Sequence, residues 1–196
     1  MYKMSITPPP FPRKPTKREA WAFVAVRILG IDPGSRITGY GIIDAEGQRM
    51  RFVDCGVIRA RSDHMPERLG VIFQGIRELI AGQNPGEMAI EQVFVNRNVD
   101  SALKLGQARG AAICAGVNAG LDVAEYTPRA VKKAIVGTGG ADKVQVQHMV
   151  TALLELPRKP QADAADALAM AVCHAHHVAA VVRIPHVSRA RGGRWR

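Results

Sequence analysis

The sequence lacks any apolar run that approaches the roughly 20 residues needed to span a bilayer. The N-terminal segment carries charges and prolines in place of an apolar block with a small-residue cleavage site, so secretion is not expected. Cysteine is scarce: Cys55, Cys114 and Cys173 are spaced 59 residues apart, and no C-x-x-C pair occurs. An odd number of separated thiols predicts free cysteines in a reducing compartment, and therefore a cytoplasmic protein.

Positive charge is abundant, but it is concentrated at the two ends of the chain. The net charge is +10, and residues 1–27 and 183–196 carry +5 each, whereas residues 28–182 contain 16 basic and 16 acidic residues. Basic ends raise nonspecific affinity for nucleic acid by counterion release, but they do not define a site. A solubility tail or an extended translation start explains residues 1–26 as well as a role in nucleic-acid affinity does.

The chain length and the apolar fraction of 47% predict one sizeable globular domain. We expect a disordered basic, proline-rich leader at 1–26, a folded domain at 27–182 and a basic tail at 183–196. Within the folded part, strands come first and then alternate with helices, which predicts an α/β fold with a mixed sheet. Gly56 is expected to weaken the third strand or to mark a bulge. The predicted helices cover about 69–82, 99–118, 129–135, 142–155 and 162–182.

Four acids occur where an ordinary core would carry none. Asp32 ends the apolar run ILGI, and Glu91 lies within MAIEQVF. Asp163 and Asp166 are three residues apart at the start of the last helix, so both project from one face. Each acid alone has an ordinary explanation, because Asp-Pro-Gly forms turns and acids in a first helical turn are favoured by the helix dipole.

Taken together, the four acids predict a metal site. If the fourth strand pairs beside the first, Asp32 and Glu91 lie side by side, and a helix packed across the sheet can bring the other two to the same place. Two carboxylates about 4 Å apart repel by about 4 kcal/mol at an effective dielectric of about 20, so four require raised pKa values or cations. Oxygen ligands without histidine or cysteine favour Mg²⁺ or Mn²⁺, which can drive phosphodiester hydrolysis as a metal pair.

Five motifs then carry a family resemblance, in order and at plausible spacing. They are GIDPGSRITGYGII, AIEQVF, SALKLGQARG, KVQVQHM and PQADAADALAMA. Over about residues 27–180 the chain resembles the RuvC family of Holliday junction resolvases. The resemblance implies a ribonuclease-H-like fold with a mixed five-stranded sheet flanked by helices. It also implies a homodimer that nicks two strands of like polarity in four-way DNA junctions, in recombination and repair.

The resemblance also implies roles for individual residues. By motif position, Asp32, Glu91, Asp163 and Asp166 match the family's metal-binding catalytic acids, although some relatives carry histidine at the position of Asp163. The expected cofactor is Mg²⁺, two ions per site, with Mn²⁺ as a substitute. The branch-migration proteins RuvA and RuvB are the implied partners.

Four further residues are candidate DNA contacts. Phe94 matches a family aromatic that stacks on unpaired bases, and Arg97 in the same loop is a natural phosphate contact. Lys132 and Lys143 match lysines that the family places near the scissile phosphate or the DNA backbone. The alternatives stay open at this point: Phe94 could pack against the domain, and the three cations could be solvated surface residues.

Two other patterns occur in the helices. The histidines at 174, 176 and 177 suggest a metal site, but eight residues of helix place His174 about 12 Å from Asp166, so a cluster at the helix C-terminus is favoured. The helix from Val99 contains small residues that could pack on its own sheet or on a second subunit.

Two other classes of protein share parts of this pattern. Sugar kinases and actin-like ATPases also begin with a strand followed by Asp-x-Gly, but they need a second related domain, of which this sequence shows no copy. A noncatalytic junction-binding protein of the same fold would be indicated by the loss of one or more acids, and all four are present.

Overall fold

The computed structural model describes residues 25–92 and 98–183, with side chains up to residue 180. Nearly all of the predicted leader, the tail beyond Arg183, and both Phe94 and Arg97 lie outside the described residues. The strands are β1 (Val26–Asp32), β2 (Ile37–Glu46), β3 (Arg49–Arg59), β4 (Glu87–Glu91) and β5 (Asp122–Tyr126). The helices are α1 (Met65–Gln83), α2 (Val99–Asn118), α3 (Pro128–Val136), α4 (Lys143–Leu153) and α5 (Ala162–Arg183).

The five strands form one mixed sheet in the order β3-β2-β1-β4-β5. The first three strands make an antiparallel meander, and β4 then pairs parallel to β1, with β5 parallel to β4. Parallel pairing needs a crossover, which α1 and α2 supply. The predicted five-stranded α/β architecture is confirmed.

The sheet separates two hydrophobic cores, because successive side chains of a strand point to opposite faces. Helices α1 and α2 cover one face, where Leu29 and Ile31 pack with Ile72 and Ile76. Helices α3, α4 and α5 cover the other face, where Ile28 and Ile43 pack with Leu168. Strand β1 is thus buried on both sides, which explains its nearly continuous apolar sequence.

Helix α5 lies against the sheet at unusually short range, because the strands beneath it carry glycines. A β carbon at Gly41 would lie 2.6 Å from the backbone nitrogen of Leu168, and one at Gly30 would lie 2.7 Å from that of Ala171. A β carbon at Gly39 would collide with the backbone carbonyl of Asp163. The missing side chains therefore let the helix backbone rest on β1 and β2.

The interpretation of Gly56 as a bulge was wrong. The register between β2 and β3 shifts at Ile42/Ile43, opposite Asp54 and Phe52, so the extra residue is Val53. Gly56 pairs with Tyr40, and a β carbon there would lie 2.8 Å from the Tyr40 hydroxyl oxygen. The glycine makes room for an aromatic ring and does not bend the strand.

Helix boundaries agree with the sequence pattern except at the start of α1. This helix begins at Met65, four residues before its apolar repeat, because Pro66 and Glu67 fit the first turn. Within the described residues, no helix is long and apolar enough to cross a membrane. All three cysteines are free thiols, as predicted.

We expect Gly41→Ala to lower the free energy of unfolding by about 1–3 kcal/mol or more, because the added methyl group overpacks against the α5 backbone. Gly70→Ala is the matched control: a β carbon at this site on α1 meets nothing within 4 Å, so the change should be neutral or stabilising by up to about 1 kcal/mol. Urea unfolding measures both. Equal stability of Gly41→Ala and the wild type would contradict the backbone contact.

Candidate active site

Two of the four acids lie at the carboxyl ends of neighbouring parallel strands. Asp32 is the last residue of β1 and Glu91 the last residue of β4, each one position beyond the paired residues Ile31 and Ile90. Both carboxylates lie on the face covered by α5, because alternation places them with Ile28 and Ala89, which pack there. Crevices at the carboxyl ends of parallel strands are the usual ligand sites of α/β sheets.

The other two acids come from the first turns of α5. Asp166 lines the same cavity as Asp32 and Glu91. Asp163 lies one turn earlier, above Gly39, and its carboxylate accepts a hydrogen bond from the Gln161 amide at 3.4 Å. Asp163 does not line the cavity, but its charge acts on Asp32. Three of the four acids that were predicted to converge therefore line one cavity, and Asp163 lies outside its lining.

The cavity has a volume of about 250 Å³ and combines acids with two lysines. The Lys143 ammonium donates to Asp166 Oδ2 at 3.3 Å, and the charge of Asp166 raises the pKa of Lys143. Lys132 lies on α3, which is anchored by the buried Val131 and Ile135. Both predicted lysines thus line the site. The full lining is Asp32, Glu91, Pro128, Val131, Lys132, Lys143, Val146, Asp166, Ala169 and Met170.

The electrostatics of the site favour a cation. Burial, followed by the charges of Glu91, Asp166 and Asp163, raises the pKa of Asp32 to about 8. Burial and the charge of Asp166 also raise the pKa of Glu91, against the lowering influence of Lys143 and Lys132. Carboxyl groups with such pKa values hold a shared proton or a cation when they are crowded together.

The carboxylates do not form a complete coordination sphere in this conformation. Among the described residues, no group of three or more His, Cys, Asp or Glu side chains is arranged to hold a metal ion. The donor chemistry nevertheless fits a divalent cation, because the site offers carboxylate oxygens alone, on acids whose proximity is electrostatically costly. The site is a set of neighbouring oxygen donors with a lysine at one of them.

The histidines lie elsewhere and include a buried network that the sequence did not reveal. His174 is 3% exposed; its Nε2 lies 2.5 Å from Glu87 Oε2 and its Nδ1 lies 2.7 Å from the Tyr126 hydroxyl. The network joins α5 to β4 and β5 on the face of the sheet that α5 covers. The interpretation as a cluster at a helix C-terminus was wrong for His174, because its ring is buried and contacts side chains of β4 and β5. The role of Glu87 could not be recognised from the sequence, because a single acid at the start of a strand is an ordinary feature.

A mixed sheet with acids at the ends of two parallel strands and a helix carrying more acids across it defines the ribonuclease-H-like class of acid-cluster nucleases. The family model described as "Crossover junction endodeoxyribonuclease RuvC" matches residues 28–174. The chain belongs to the RuvC family.

Comparisons with individual proteins agree with this family. The chain is 61% identical over 170 residues to the crossover junction endodeoxyribonuclease RuvC of Marinobacter nauticus, covering 86% of this chain and 97% of the relative. It is 57% identical to the Vibrio parahaemolyticus RuvC, covering 86% and 98%. The structure of Thermus thermophilus RuvC in complex with a Holliday junction substrate matches with a TM-score of 0.74 at 32% identity, covering 80% of this chain and 97% of that chain.

A more distant structural match extends the same fold. The yeast mitochondrial Holliday junction resolvase Ydc2 matches with a TM-score of 0.61 at 11% identity, covering 85% of this chain and 84% of that chain. At this identity the match concerns the fold alone. As a member of the RuvC family, the chain is a nuclease that hydrolyses DNA. The alternative interpretation as a sugar kinase or actin-like ATPase is not supported.

We expect Asp32→Asn to be more stable than the wild type at pH 8 in EDTA, by about 1–3 kcal/mol. A carboxyl whose pKa is raised to about 8 on folding is ionised in the unfolded chain but protonated when folded between about pH 4 and pH 8, so stability falls as the pH rises through this window. The neutral amide removes this loss, and the difference should vanish near pH 4.

Thermal unfolding across this pH range measures the effect, with Glu46→Gln, an exposed acid at the β2–β3 turn, as the control. An Asp32→Asn protein whose stability follows that of the wild type at every pH would show that Asp32 is not crowded by its neighbours.

Proposed function

We propose that the chain resolves four-way DNA junctions through Asp32, Glu91, Asp163 and Asp166, which together hold divalent metal ions at the scissile phosphate. The single observation that supports this assignment is that Asp32, Glu91 and Asp166 line one cavity, where burial and the charges of the other three acids raise the pKa of Asp32. Residues that are distant in sequence have thus been brought together at an energetic cost. A site of this kind is typical of function, because folding alone does not require it.

The cofactor we propose is Mg²⁺, two ions per site, with Mn²⁺ able to substitute. Hard oxygen ligands without nitrogen or sulfur suit these ions. When bound, such a pair supplies activation of the attacking water and stabilisation of the leaving oxygen. The carboxylates would hold and orient the ions, with Asp32 and Glu91 fixed at the ends of β1 and β4.

The two lysines are proposed to bind the DNA backbone. Lys132 on α3 and Lys143 on α4 line the same cavity as the acids, so a phosphate that enters it can meet both the metal ligands and the ammonium groups. As the first residue of α4, Lys143 is positioned by the Asp142 capping box. A phosphate can therefore replace Asp166 as its partner and spread the negative charge that develops during cleavage.

Phe94 and Arg97 remain predictions from the family motifs. Phe94 is three residues and Arg97 six residues beyond Glu91, which ends β4 and lines the cavity. We propose that Phe94 stacks on bases unpaired at the crossover and that Arg97 contacts phosphate.

We further propose a homodimer formed through the outer face of α2. Val99 and Leu103 are 65% and 63% exposed, and β carbons at Gly106 and Gly110 would meet nothing within 4 Å. An exposed helix face with apolar and small residues allows close packing of a second copy. Two nicks in strands of like polarity need two active sites related by a two-fold axis.

The remaining assignments rest on the family. We propose that RuvA and RuvB are partners, that the protein acts in the cytoplasm, and that residues 27–182 form the nuclease domain. The basic segments 1–26 and 183–196, which carry nearly all of the excess charge, would strengthen nonspecific DNA affinity.

We expect Asp32→Asn to abolish Mg²⁺-dependent nicking of an immobile four-way junction, by at least about 100-fold, while junction binding in Ca²⁺ is retained or strengthened. The loss of one negative ligand weakens metal binding but removes no contact to the DNA backbone. Denaturing gels measure the nicks and gel shifts measure binding. Undiminished cleavage by this variant would remove the proposed mechanism, and a wild type that binds junctions without cutting in Mg²⁺ or Mn²⁺ would favour the noncatalytic alternative.

We expect Leu103→Glu to convert the dimer to a monomer in analytical ultracentrifugation, because a charge replaces an apolar side chain at the centre of the proposed interface. Leu153→Glu on α4 is the matched control, since Leu153 is also exposed, at 37%, but lies on another helix. A Leu103→Glu protein that sediments like the wild type would exclude this face.

A further inference from the structure

The motif SALKLGQARG has no role in the site described above, although it lies on α2 directly after the predicted DNA-binding loop. Helix α2 covers the face of the sheet opposite α5, so none of its side chains can enter the cavity from the front. One residue of the motif nevertheless reaches the site. Arg109 Nε donates a hydrogen bond of 2.9 Å to the backbone carbonyl of Glu91, and its Nη2 pairs with the Glu125 carboxylate.

Arg109 makes this contact at the carboxyl end of β4. Glu91 is the last residue of β4, and the Gln92 N–H donates a backbone hydrogen bond of 2.8 Å to the Tyr126 carbonyl. β1 ends beside it at Asp32. The Glu91 carbonyl lies at the end of β4, and fraying of the strand there would displace the Glu91 carboxylate. Arg109 donates a hydrogen bond to this carbonyl from the face of the sheet opposite α5.

The local packing makes Arg109 a rigid support. Its side chain is only 20% exposed, and it follows Ala108, which is fully buried against the sheet. Ala112 is buried in the same way one turn later, and these small residues allow α2 to lie close to β4 and β5. A guanidinium group offers several donors in a fixed plane, so one side chain can hold the end of β4 and the end of β5 together.

We propose that Arg109 is a positioning residue for the metal site: from behind the sheet it fixes the main chain of Glu91, so that the carboxylate of Glu91 is held where the metal ions bind. This role rests on the proposed function of Glu91 as a metal ligand. Groups that orient a ligand in this way typically contribute 10–100-fold to metal affinity or activity. The proposal gives Arg109 of the SALKLGQARG motif a role at the metal site without placing it in contact with DNA.

The experiment compares Arg109→Ala, Arg109→Lys, Glu125→Ala and Arg77→Ala in the full chain. Mn²⁺ affinity without DNA is measured by calorimetry, and junction cleavage is titrated with Mg²⁺ at saturating junction. Junction binding in Ca²⁺ and the Tm are recorded for each variant. Arg77 on α1 is an exposed arginine that lies near the ring of Phe73 and serves as the matched control.

We expect Arg109→Ala to weaken Mn²⁺ binding about 10-fold or more, and to raise the Mg²⁺ concentration for half-maximal cleavage similarly, with junction binding unchanged. Arg109→Lys should restore part of the effect, because an ammonium can donate to one acceptor. Glu125→Ala should shift metal affinity less than about 3-fold, since the bond to the Glu91 carbonyl remains. Arg77→Ala should match the wild type in every measurement.

Each contrary result has a distinct meaning. A lower Tm for Arg109→Ala with wild-type metal affinity would make Arg109 merely structural and would overturn the proposal. Equal weakening by Glu125→Ala would assign the effect to the ion pair and would also overturn it. If Glu91→Gln itself retains wild-type cleavage and Mn²⁺ affinity, the proposed function fails instead, because Glu91 is then not a ligand.

Discussion

The site depends on the contact between the backbone of α5 and the backbones of β1 and β2. Gly30, Gly39 and Gly41 lack the side chains that would otherwise keep the helix backbone away from the sheet. Ala167 and Ala171 lie against Gly30, and Leu168 lies against Gly41. This contact sets the height and rotation of the first turns of α5 above the strand ends. Asp166 therefore enters the same cavity as Asp32 and Glu91, and Asp163 lies within electrostatic reach.

The acids are held together against their mutual repulsion by the cores beneath them. The strands that carry Asp32 and Glu91 are anchored by fully buried side chains such as Ile31 and Ile90, so the ends of β1 and β4 cannot separate to relieve the repulsion. The remaining ways to lower this energy are protonation, which the raised pKa of Asp32 favours, and cations, of which Lys143 in contact with Asp166 is one. A divalent ion provides the same compensation in a form that can act on a phosphate.

The sequence predicted the helices and strands well because their signals are local. Apolar patterns, composition and turn residues together indicated every described element, and α2 was predicted with the bounds that the structure has. The errors occurred where a long-range contact decides. Gly56 resembled a bulge, but its lack of a side chain accommodates Tyr40 from the neighbouring strand, and the bulge lies at Val53. His174 was assigned to a histidine cluster at the helix C-terminus, but it is buried between Glu87 and Tyr126.

The sequence by itself determined which acids are candidates, because a carboxylate at the end of an apolar run is conspicuous, and its motifs identified the family. Only the tertiary structure decided how the acids meet. The register of β1 and β4 places Asp32 beside Glu91, and α5 places Asp166 closer to them than Asp163. The bond from Arg109 to the Glu91 carbonyl could not be predicted, because it joins a side chain to a backbone atom 18 residues away, and backbone acceptors leave no trace in the residue types of a sequence.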